Sequence, residues 1–357
     1  MAKRDRGIIY SAIEKYIGSA ACRFHTPGHK GEYSPHDITE IGIRSEIFPA
    51  DCIERAERET AKLYGAKAVR YLTGGSSMGI KAALLRFKGK KVLYAEGVHR
   101  AFTEGCELAE INAVCLSGEG NSCGGMIFCG SDSLPPPATL ESVENALNTH
   151  PDAAALFITS PDYLGRVADI RIAELCHSRG VKLIVDAAHG AHFAFAPGLR
   201  EYGFERVADY ANMSAHKTLG AYTQSALLAV NDDGALENSC GDSGIDKALR
   251  LLGTTSPNYE MLARLECSVS EAEKSGAEYE RLRKFTESIP FSMRLRNTDY
   301  TRLCVPHKDP KRLYGELYER GIVPEAVVDN YVVFILTPHD NEEKTARLHK
   351  ELTRIIN

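Results

Sequence analysis

The sequence DYANMSAHKTLGAYTQSALL, residues 209–228, contains a lysine, Lys217, at the point where a predicted buried strand ends. Ser214 and His216 precede this lysine closely, and further hydroxyl groups follow it. Partial burial among such groups lowers the pKa of a lysine, and the neutral amine is then a nucleophile toward carbonyl carbons. The pattern alone also fits a solvated lysine on a turn, so the choice depends on the other motifs of the chain.

A second strand end lies upstream, in VKLIVDAAHGAH, residues 181–192. Its first five residues are mostly apolar, which is typical of a strand buried on both faces of a parallel sheet. The strand ends in Asp186. Open α/β sheets bind ligands in the crevice at the carboxyl ends of their strands, so Asp186 is predicted to face a ligand. His189 and His192 follow, and one of them is expected to support Asp186. A metal site is not expected, because further ligands for this histidine pair are missing.

Glycines and hydroxyl groups open a predicted helix in YLTGGSSMGIKAALL, residues 71–85. Gly75, Ser76 and Ser77 fall near the helix start, where unpaired backbone N–H groups and the helix dipole favour a phosphate. No Gly-Lys-Ser/Thr follows at the required spacing, which excludes a Walker A motif. His99 comes directly after a further strand-like run. A phosphate cradle, an aromatic base, an acid and a lysine are the groups needed to hold pyridoxal phosphate (PLP).

Five ordered blocks carry a resemblance to a known family. The chain resembles the major domain of the PLP-dependent ornithine/lysine/arginine decarboxylases, which have the aspartate aminotransferase fold, or fold type I. The blocks are HTPGHKG (residues 25–31), TGGSS (73–77), SPDYLG (160–165), DAAHGAH (186–192) and SAHKT (214–218). Together they span most of the chain, and their order makes the resemblance far more specific than any one motif.

The resemblance implies both a fold and a site. The fold is α/β, with a large domain on a mainly parallel, seven-stranded sheet and a small C-terminal α+β domain. Lys217 would carry PLP as a Schiff base, Asp186 would pair with the pyridine nitrogen, and His99 would stack on the ring. The expected catalytic residues are Lys217, Asp186, His99 and His216. The expected cofactor-binding residues are Gly75, Ser76, Ser77, His99, Asp186, His189, Ser214, His216, Lys217 and Thr255.

A segment near Thr255 resembles one that reaches the phosphate of the neighbouring subunit in the family. This segment is TTSP, residues 254–257. The resemblance therefore implies a homodimer, or a larger homo-oligomer, with shared active sites. Within the SPDYLG block, Asp162 or Tyr163 is expected to lie on the 3′-oxygen side of the cofactor.

Two departures from the family bear on the site. Family members usually read Asn-Gly-Thr-Ser where this chain has TGGS, residues 73–76, and many shorter members read Asp-Glu-Ala-His where it has DAAH, residues 186–189. The first departure removes a hydroxyl from the cradle, and the second removes a carboxylate beside the cofactor. The chain is also shorter than the usual members and is expected to lack their extra C-terminal domain, so substrate contacts made by that domain do not carry over.

Composition limits the function classes. A chain of 357 residues, 43% hydrophobic and 25% charged, is long enough for one large and one small globular domain. A net charge of −5 gives no basic surface for nucleic acid or a membrane. Ten scattered cysteines without a CxxC pair predict free thiols in a reducing compartment. Because neither a signal peptide nor a membrane-length apolar run is recognised, a cytoplasmic location is expected.

Three units are predicted along the chain. They are an N-terminal helix and arm (residues 1–30), a PLP-binding large domain (31–256), and a bridging helix with a small α+β domain (257–357). Alternating β and α patterns over residues 92–162 predict a parallel sheet with helices on both faces. A long loop, residues 118–137, is expected to cover the site or an interface.

The expected reaction is decarboxylation of a basic amino acid, lysine, ornithine or arginine, to the amine, as in polyamine biosynthesis. Asp186 would keep the ring nitrogen protonated, and Lys217 or His216 would return a proton after carbon dioxide leaves. No arginine stands in the strand region 331–339 to clamp a carboxylate as in an aminotransferase, which favours loss of the carboxylate. Another PLP reaction, such as transamination or β-elimination, and a PLP-binding protein without catalysis remain alternatives.

Overall fold

The computed structural model describes residues 7–19, 22–39, 51–117, 133–236 and 244–356. The strands are β1 (Ala68–Leu72), β2 (Lys91–Tyr94), β3 (Asn112–Cys115), β4 (Ala155–Thr159), β5 (Lys182–Asp186), β6 (Tyr210–Ser214), β7 (Ala226–Val230), β8 (Arg302–Pro306), β9 (Ala326–Val328) and β10 (Tyr331–Ile335). The helices are α1 (Ile8–Gly18), α2 (Cys52–Tyr64), α3 (Gly75–Leu85), α4 (Arg100–Leu108), α5 (Leu140–Thr149), α6 (Ile172–Ser178), α7 (Ala215–Thr218), α8 (Asp233–Leu236), α9 (Gly244–Leu252), α10 (Tyr259–Glu273), α11 (Gly276–Ser288), α12 (Pro310–Glu319) and α13 (Glu342–Ile356).

A seven-stranded sheet forms the centre of the molecule, in the order β1-β7-β6-β5-β4-β2-β3. All neighbouring pairs within the group β2 to β6 are parallel. Strand β7, in contrast, runs antiparallel to both of its neighbours, β1 and β6. The mainly parallel arrangement confirms the predicted fold class. A parallel sheet brings the carboxyl ends of its strands to one edge, and that edge is where a ligand is expected.

Both faces of this sheet are buried, which explains the continuous apolar runs of its strands. In β4, Leu156 and Ile158 belong to one hydrophobic cluster, while Ala155 and Phe157 belong to the cluster on the other face. The alternation follows from the two-residue repeat of a strand. Packing on both sides therefore fixes the register of the strands, and with it the positions of the residues at their ends.

One glycine allows a helix to approach the sheet closely. Helix α3 packs against β6 and β7, and a Cβ atom at Gly79 would collide with the side chain of Asn212 in β6. Because α3 lies so close, its N-terminus is held rigidly beside the carboxyl end of β6. The start of α3 is the predicted phosphate cradle.

A second, smaller sheet has the order β8-β10-β9 and is antiparallel throughout. Its apolar face packs with α11, α12 and α13 through a separate cluster that includes Leu282, Leu313 and Leu352. This is the small α+β unit that the resemblance implies. The boundaries given for the three units remain a prediction.

Several local predictions are corrected by the structure. The single bridging helix expected at the start of residues 257–357 is two helices, α10 and α11, with the break at Lys274 and Ser275. Strand β9 was not predicted. Helix α2 ends at Gly65 in the left-handed conformation, as expected of a helix-terminating glycine. Most of the predicted loop 118–137 lies outside the described residues.

Helix α1 covers the large sheet from outside, packing against α2 and α10 with its buried face, which includes Ile9 and Ile13. Among the residues that the structure describes, no helix is both long and apolar enough to cross a membrane. The seven cysteines in the described ranges are all free.

Candidate active site

A cavity of about 460 Å³ lies at the carboxyl ends of β4, β5 and β6, beside the start of α3. Nine of the ten predicted cofactor-binding residues line it: Gly75, Ser76, Ser77, His99, Asp186, His189, Ser214, His216 and Lys217. Thr255 does not line the cavity and is exposed on the connection between α9 and α10. The separate motifs of the sequence thus meet at one place within a single chain, except for the segment assigned to a neighbouring subunit.

Lys217 lies in the short helix α7, which follows directly from the buried end of β6. Its Nζ atom is 3.2 Å from Nε2 of His189. Burial lowers the pKa of Lys217; Asp186 opposes this effect and Arg302 reinforces it. A lowered pKa increases the fraction of neutral amine, which is the nucleophilic form.

Asp186 is the last residue of β5 and is buried. Burial raises the pKa of Asp186, whereas Lys217, the N–H of Ala188 and His99 lower it. The Ala188 N–H donates to Oδ1 at 3.1 Å. With so few partners, this carboxylate would be stabilised by a cation or a protonated nitrogen placed in the cavity.

The two histidines after Asp186 have other roles than the predicted one. His189 contacts Lys217, and its Nδ1 is 2.9 Å from Nη2 of Arg302. His192 is turned the other way, with Nε2 3.1 Å from Oδ1 of Asp299. The prediction that one of them supports Asp186 is therefore wrong. The chain turns between Ala187 and Gly190, where the N–H of Gly190 donates to the Ala187 carbonyl, and beyond this turn the two imidazoles contact Lys217 and Asp299 instead of Asp186.

His99 caps the N-terminus of α4. Its Nδ1 accepts the N–H of Ala101 at 3.1 Å, which fixes the orientation of the imidazole. Burial lowers the pKa of His99, Asp186 raises it and Lys217 lowers it. A neutral, oriented imidazole at the cavity wall is suited to stacking on a planar ring.

The predicted phosphate cradle is the first turn of α3. The helix begins at Gly75, whose φ of +72° is one that residues with a Cβ rarely adopt. The Gly75 N–H donates to the carbonyl of Gln224 at 2.8 Å, and Ser214 donates to Ser76 at 2.9 Å between the hydroxyl oxygens. A Cβ added at Gly75 would meet nothing within 4 Å, so open space adjoins the turn. The first turn of α3, described in full, holds no acidic residue that would repel an anion.

His216 lies between the cradle and the lysine. Its Nδ1 is 3.1 Å from the carbonyl oxygen of Ser225, and because a carbonyl only accepts, Nδ1 carries the proton. Its position on the cavity wall is set by this contact and by the turn of α7 that also carries Lys217.

Some residues of the cavity wall were missed or left undecided by the sequence. Tyr163, one of two candidates in its block, lines the cavity, and its hydroxyl donates to Glu325 at 2.7 Å. The other candidate, Asp162, is absent from the wall and instead accepts from Arg166 at 2.6 Å. Glu325 also lines the cavity, although it lies just before β9 in the small unit. Its loop carries no signal that distinguishes it from other glutamates on the surface.

Arg302 was also missed. Residues 331–339, which include β10, contain no arginine, but Arg302 starts the adjacent strand β8 and pairs with Ile335. Its side chain is buried beneath Tyr163 and His189 and is not part of the cavity wall. Arg100, at the start of α4, does line the cavity.

The motifs and the geometry agree with comparisons to known proteins. A family model described as Orn/Lys/Arg decarboxylase, major domain, matches residues 37–304. The chain belongs to this family. The arginine decarboxylase of Halalkalibacterium halodurans is 28% identical over 286 residues, which are 75% of this chain and 56% of that protein. The chain thus spans little more than half the length of this Orn/Lys/Arg decarboxylase relative.

Solved structures show the same fold at lower identity. The lysine decarboxylase LdcF of Francisella novicida superposes with a TM-score of 0.76 at 16% identity, over 98% of this chain and 60% of that one. Ureidoglycine–glyoxylate aminotransferase from Bacillus subtilis superposes with a TM-score of 0.65 at 16% identity, over 85% and 84% of the two chains. Both similarities place this Orn/Lys/Arg decarboxylase family member in fold type I.

Proposed function

We propose that this protein decarboxylates a basic amino acid, lysine, ornithine or arginine, using PLP carried on Lys217. The observation that supports the proposal most strongly is the meeting of Lys217, Asp186, His99 and the start of α3 in one cavity. These groups come from four separate parts of the chain, and each is of the type that one portion of the cofactor requires. Family membership supports the same class of reaction.

The residues at the start of α3 fit a phosphate. Ser76, Ser77 and Ser214 offer hydroxyl groups, and the helix N-terminus offers backbone N–H groups beside open space at Gly75. The Gly75 N–H is already bonded to Gln224, so the remaining N–H groups of the turn would be the donors. The threonine of other family members is replaced here by Gly75, and Ser214 with its bond to Ser76 would supply a hydroxyl at the same end of the cavity.

The remaining residues fit the ring and its chemistry. PLP, when bound, supplies an aldehyde for the lysine and a ring that accepts the electrons of the broken bond. Lys217 would hold the cofactor covalently, His99 would stack on the ring, and Asp186 would keep a proton on the ring nitrogen. Once carbon dioxide has left, the amine of Lys217 or the imidazole of His216 would deliver a proton to Cα of the product.

Glu325 supports a basic substrate. Among the cavity-lining residues that the structure describes, Asp186 and Glu325 are the two carboxylates. If Asp186 serves the ring nitrogen, Glu325 remains to bind the distal cation of lysine, ornithine or arginine. Its bond from the hydroxyl of Tyr163 holds the carboxylate in place for a charge-assisted hydrogen bond.

The reaction is tested by supplying the full chain with PLP and each of the three basic amino acids. Carbon dioxide from carboxyl-labelled substrate and amine from chromatography should appear in equal amounts with one or more of them. Amine formation without any added keto acid excludes transamination. A protein that forms an absorbing complex with PLP yet releases no carbon dioxide from any of the three would contradict the proposal.

The role of Glu325 is tested by Glu325→Gln. The uncharged amide should raise KM for the basic amino acid by roughly tenfold or more, because the substrate cation loses its charged partner. Glu316→Gln is the matched control, since Glu316 lies in the same small unit, is paired with Arg312 and is outside the cavity wall. Equal KM values for the two variants would remove Glu325 from substrate recognition.

Transamination is the second candidate, and Arg100 is the observation that favours it. An arginine on the cavity wall is able to bind the α-carboxylate of a substrate that keeps this group. Under that reading, the protein with PLP would convert an amino acid to a keto acid only when a keto-acid acceptor is present. Arg100→Met should then raise KM for both partners, whereas a decarboxylase would release carbon dioxide without an acceptor.

We also propose that the active enzyme is a homodimer. Thr255 is exposed in the single chain, as is Ser256, although the family resemblance places this segment against a phosphate. A second copy would bring the segment to the cradle of its neighbour. Sedimentation should give a dimer, and Thr255→Ala should weaken PLP binding more than Thr286→Ala, which alters a hydroxyl bonded inside its own unit. An active monomer would contradict this proposal.

A further inference from the structure

Arg302 forms a continuous chain of contacts with the candidate lysine through one histidine. Its Nη2 lies 2.9 Å from Nδ1 of His189, and Nε2 of the same ring lies 3.2 Å from Nζ of Lys217. Arg302 is buried and does not line the cavity, whereas His189 and Lys217 do. Arg302 is therefore placed to act on Lys217 through His189 and not on a substrate.

The donor and acceptor roles along this chain follow from elementary chemistry. An arginine side chain has five N–H donors and no acceptor, so Nδ1 of His189 must accept at a distance of 2.9 Å. A proton on Nδ1 would instead bring two donors together. Burial holds the pKa of His189 well below its ordinary value, so the ring is neutral and carries one proton. That proton lies on Nε2, opposite Lys217.

The state of Lys217 then follows as well. Since Nε2 donates across the 3.2 Å contact, Nζ of Lys217 must offer its lone pair, which only a neutral amine possesses. We propose that Arg302 is a positioning residue that fixes the Nε2–H tautomer of His189 and so holds the amine of Lys217 in its neutral form. The tautomer of His189 and the neutral state of Lys217 are inferred without the proposed function. Only the use of this amine to bind PLP rests on it.

Two further observations support a dedicated role for Arg302. Its Nε and Nη1 atoms are buried without a hydrogen-bond partner among the described residues, so its position is not explained by a satisfied structural network. The ring of Tyr163 lies edge-on to His189 at 4.9 Å between centroids, with the Arg302 guanidinium 5.9 Å from the Tyr163 centroid. These contacts restrict rotation of the imidazole and keep Nδ1 toward Arg302.

The tautomer of His189 is measured directly by long-range ¹H–¹⁵N correlation NMR. The full chain, labelled with ¹⁵N-histidine and dialysed free of small molecules, is compared with Arg302→Met and Arg302→Lys. The signal is assigned by its absence in His189→Gln, because the chain has 12 histidines. We expect the Nε2–H form of His189 in the native chain. The same form should persist in Arg302→Lys, because a lysine side chain, like an arginine, only donates hydrogen bonds. Arg302→Met should shift the ring toward the Nδ1–H form.

A matched control separates tautomer from charge. Arg100→Met removes a cation from the cavity wall without touching His189, and it should leave the tautomer unchanged. An Nδ1–H or doubly protonated ring in the native chain overturns the proposal, and so does an unchanged tautomer in folded Arg302→Met. If Arg302→Met does not fold, the native chain and Arg302→Lys still decide, because an Nδ1–H ring in either contradicts the argument.

The consequence for the amine is measured by the pH dependence of Schiff-base formation with PLP in the dialysed protein. The groups facing Lys217 are Asp186, Arg302, Glu325 and His189, and those facing His189 include His192 and His216. At neutral pH, Arg302→Met should capture PLP about tenfold more slowly than the native chain, because the lysine pKa rises and less of the amine is neutral. Arg302→Lys should restore most of the rate. A native rate in Arg302→Met would contradict the proposal, whereas a native chain that captures no PLP would contradict the proposed function and leave the tautomer result intact.

Discussion

Two groups of charged residues lie at opposite ends of the same strands, β5 and β6. At the amino end, Lys182 lies 2.9 Å from Asp209 and 2.9 Å from Asp232, measured from Nζ to a carboxylate oxygen of each. His177 adds a contact to Asp209, and Tyr210 donates to Asp232. We call these five residues the amino-end cluster. Each of its charges has a partner of opposite sign or a hydrogen-bond donor.

At the carboxyl end, Lys217 is half-buried and Asp186 is buried, and each has few hydrogen-bond partners. Lys217 has the neutral ring of His189 as its neighbour at 3.2 Å, and Asp186 accepts one backbone N–H. The pKa of each lysine reflects this contrast. Burial lowers the pKa of Lys182 but hydrogen bonds to Asp209 and Asp232 outweigh it and raise that pKa, whereas burial prevails at Lys217 and lowers its pKa.

The contrast shows how one sheet can hold both stable and reactive charges. A buried charge with partners stays charged and contributes to folding, while a buried group without them is driven toward its neutral form and is ready to react or to bind a ligand. The sequence places both lysines at strand ends. The difference lies in whether the neighbouring strand ends supply carboxylates that reach them.

The largest expected difference is in activity. Lys217→Ala should reduce turnover of the basic amino acid by roughly 10⁴-fold or more, because it removes the amine that we propose to carry the cofactor and to return a proton. Lys182→Ala should keep most of the activity, since Lys182 lies at the far end of the sheet. Steady-state kinetics with saturating PLP compare the two variants. Similar losses in both would mean that the two lysines do not differ in function.

The two acids give the next effect. Asp186→Asn should lower kcat by roughly 10²–10³-fold, because an amide does not hold a proton on the ring nitrogen as a carboxylate does. Asp232→Asn should leave kcat nearly unchanged and lower the free energy of unfolding instead. The measurement is kcat together with urea unfolding for each variant. A drop in kcat of equal size in Asp232→Asn would break the comparison.

Removing the two lysines should affect the free energy of unfolding to different extents. Lys182→Met leaves Asp209 and Asp232 buried without their cation and should lower the free energy of unfolding by roughly 1–3 kcal/mol. Lys217→Met removes an amine whose burial is unfavourable to its charge, and so should not destabilise the protein at neutral pH. Urea unfolding monitored by circular dichroism measures both. A larger loss of stability in Lys217→Met than in Lys182→Met would reverse the assignment.

The smallest effect is a dependence of stability on pH. Burial holds the pKa of His189 well below its ordinary value of 6.5, so below that pH the unfolded chain binds a proton that the folded chain does not. The free energy of unfolding should therefore fall as the pH decreases from about 6.5, by at most about 1.4 kcal/mol per pH unit from this residue. His189→Gln should give a shallower dependence than the native chain. An equal slope in both would show that His189 is not held neutral.

Much of the fold and of the cavity was predictable because the motifs follow strand ends. Asp186 and Ser214 end apolar strands, and a parallel sheet brings such ends to one edge. The five blocks then identified the family, and the model of that family matches residues 37–304. Periodicity predicted the parallel sheet, and the family resemblance implied the large sheet's size and the nine residues that line the cavity.

The rest depends on how the small unit folds back on the large one. Glu325 and Arg302 lie in the small unit and reach the site only through tertiary packing, so no local pattern in the sequence identifies them. The role of His189 was mistaken for a related reason. His189 follows Asp186 by three residues in the sequence, but after the turn at Gly190 its imidazole contacts Lys217 and not Asp186.

We expect Lys217, and not Lys182, to be the lysine that the sheet makes reactive. The full chain is incubated with PLP at neutral pH, reduced with borohydride, digested and mapped by mass spectrometry. We expect a phosphopyridoxyl group on the peptide containing Lys217, ahead of exposed lysines such as Lys88, with Lys182 unmodified. Label spread over surface lysines according to their exposure, with Lys217 unmodified, would contradict it.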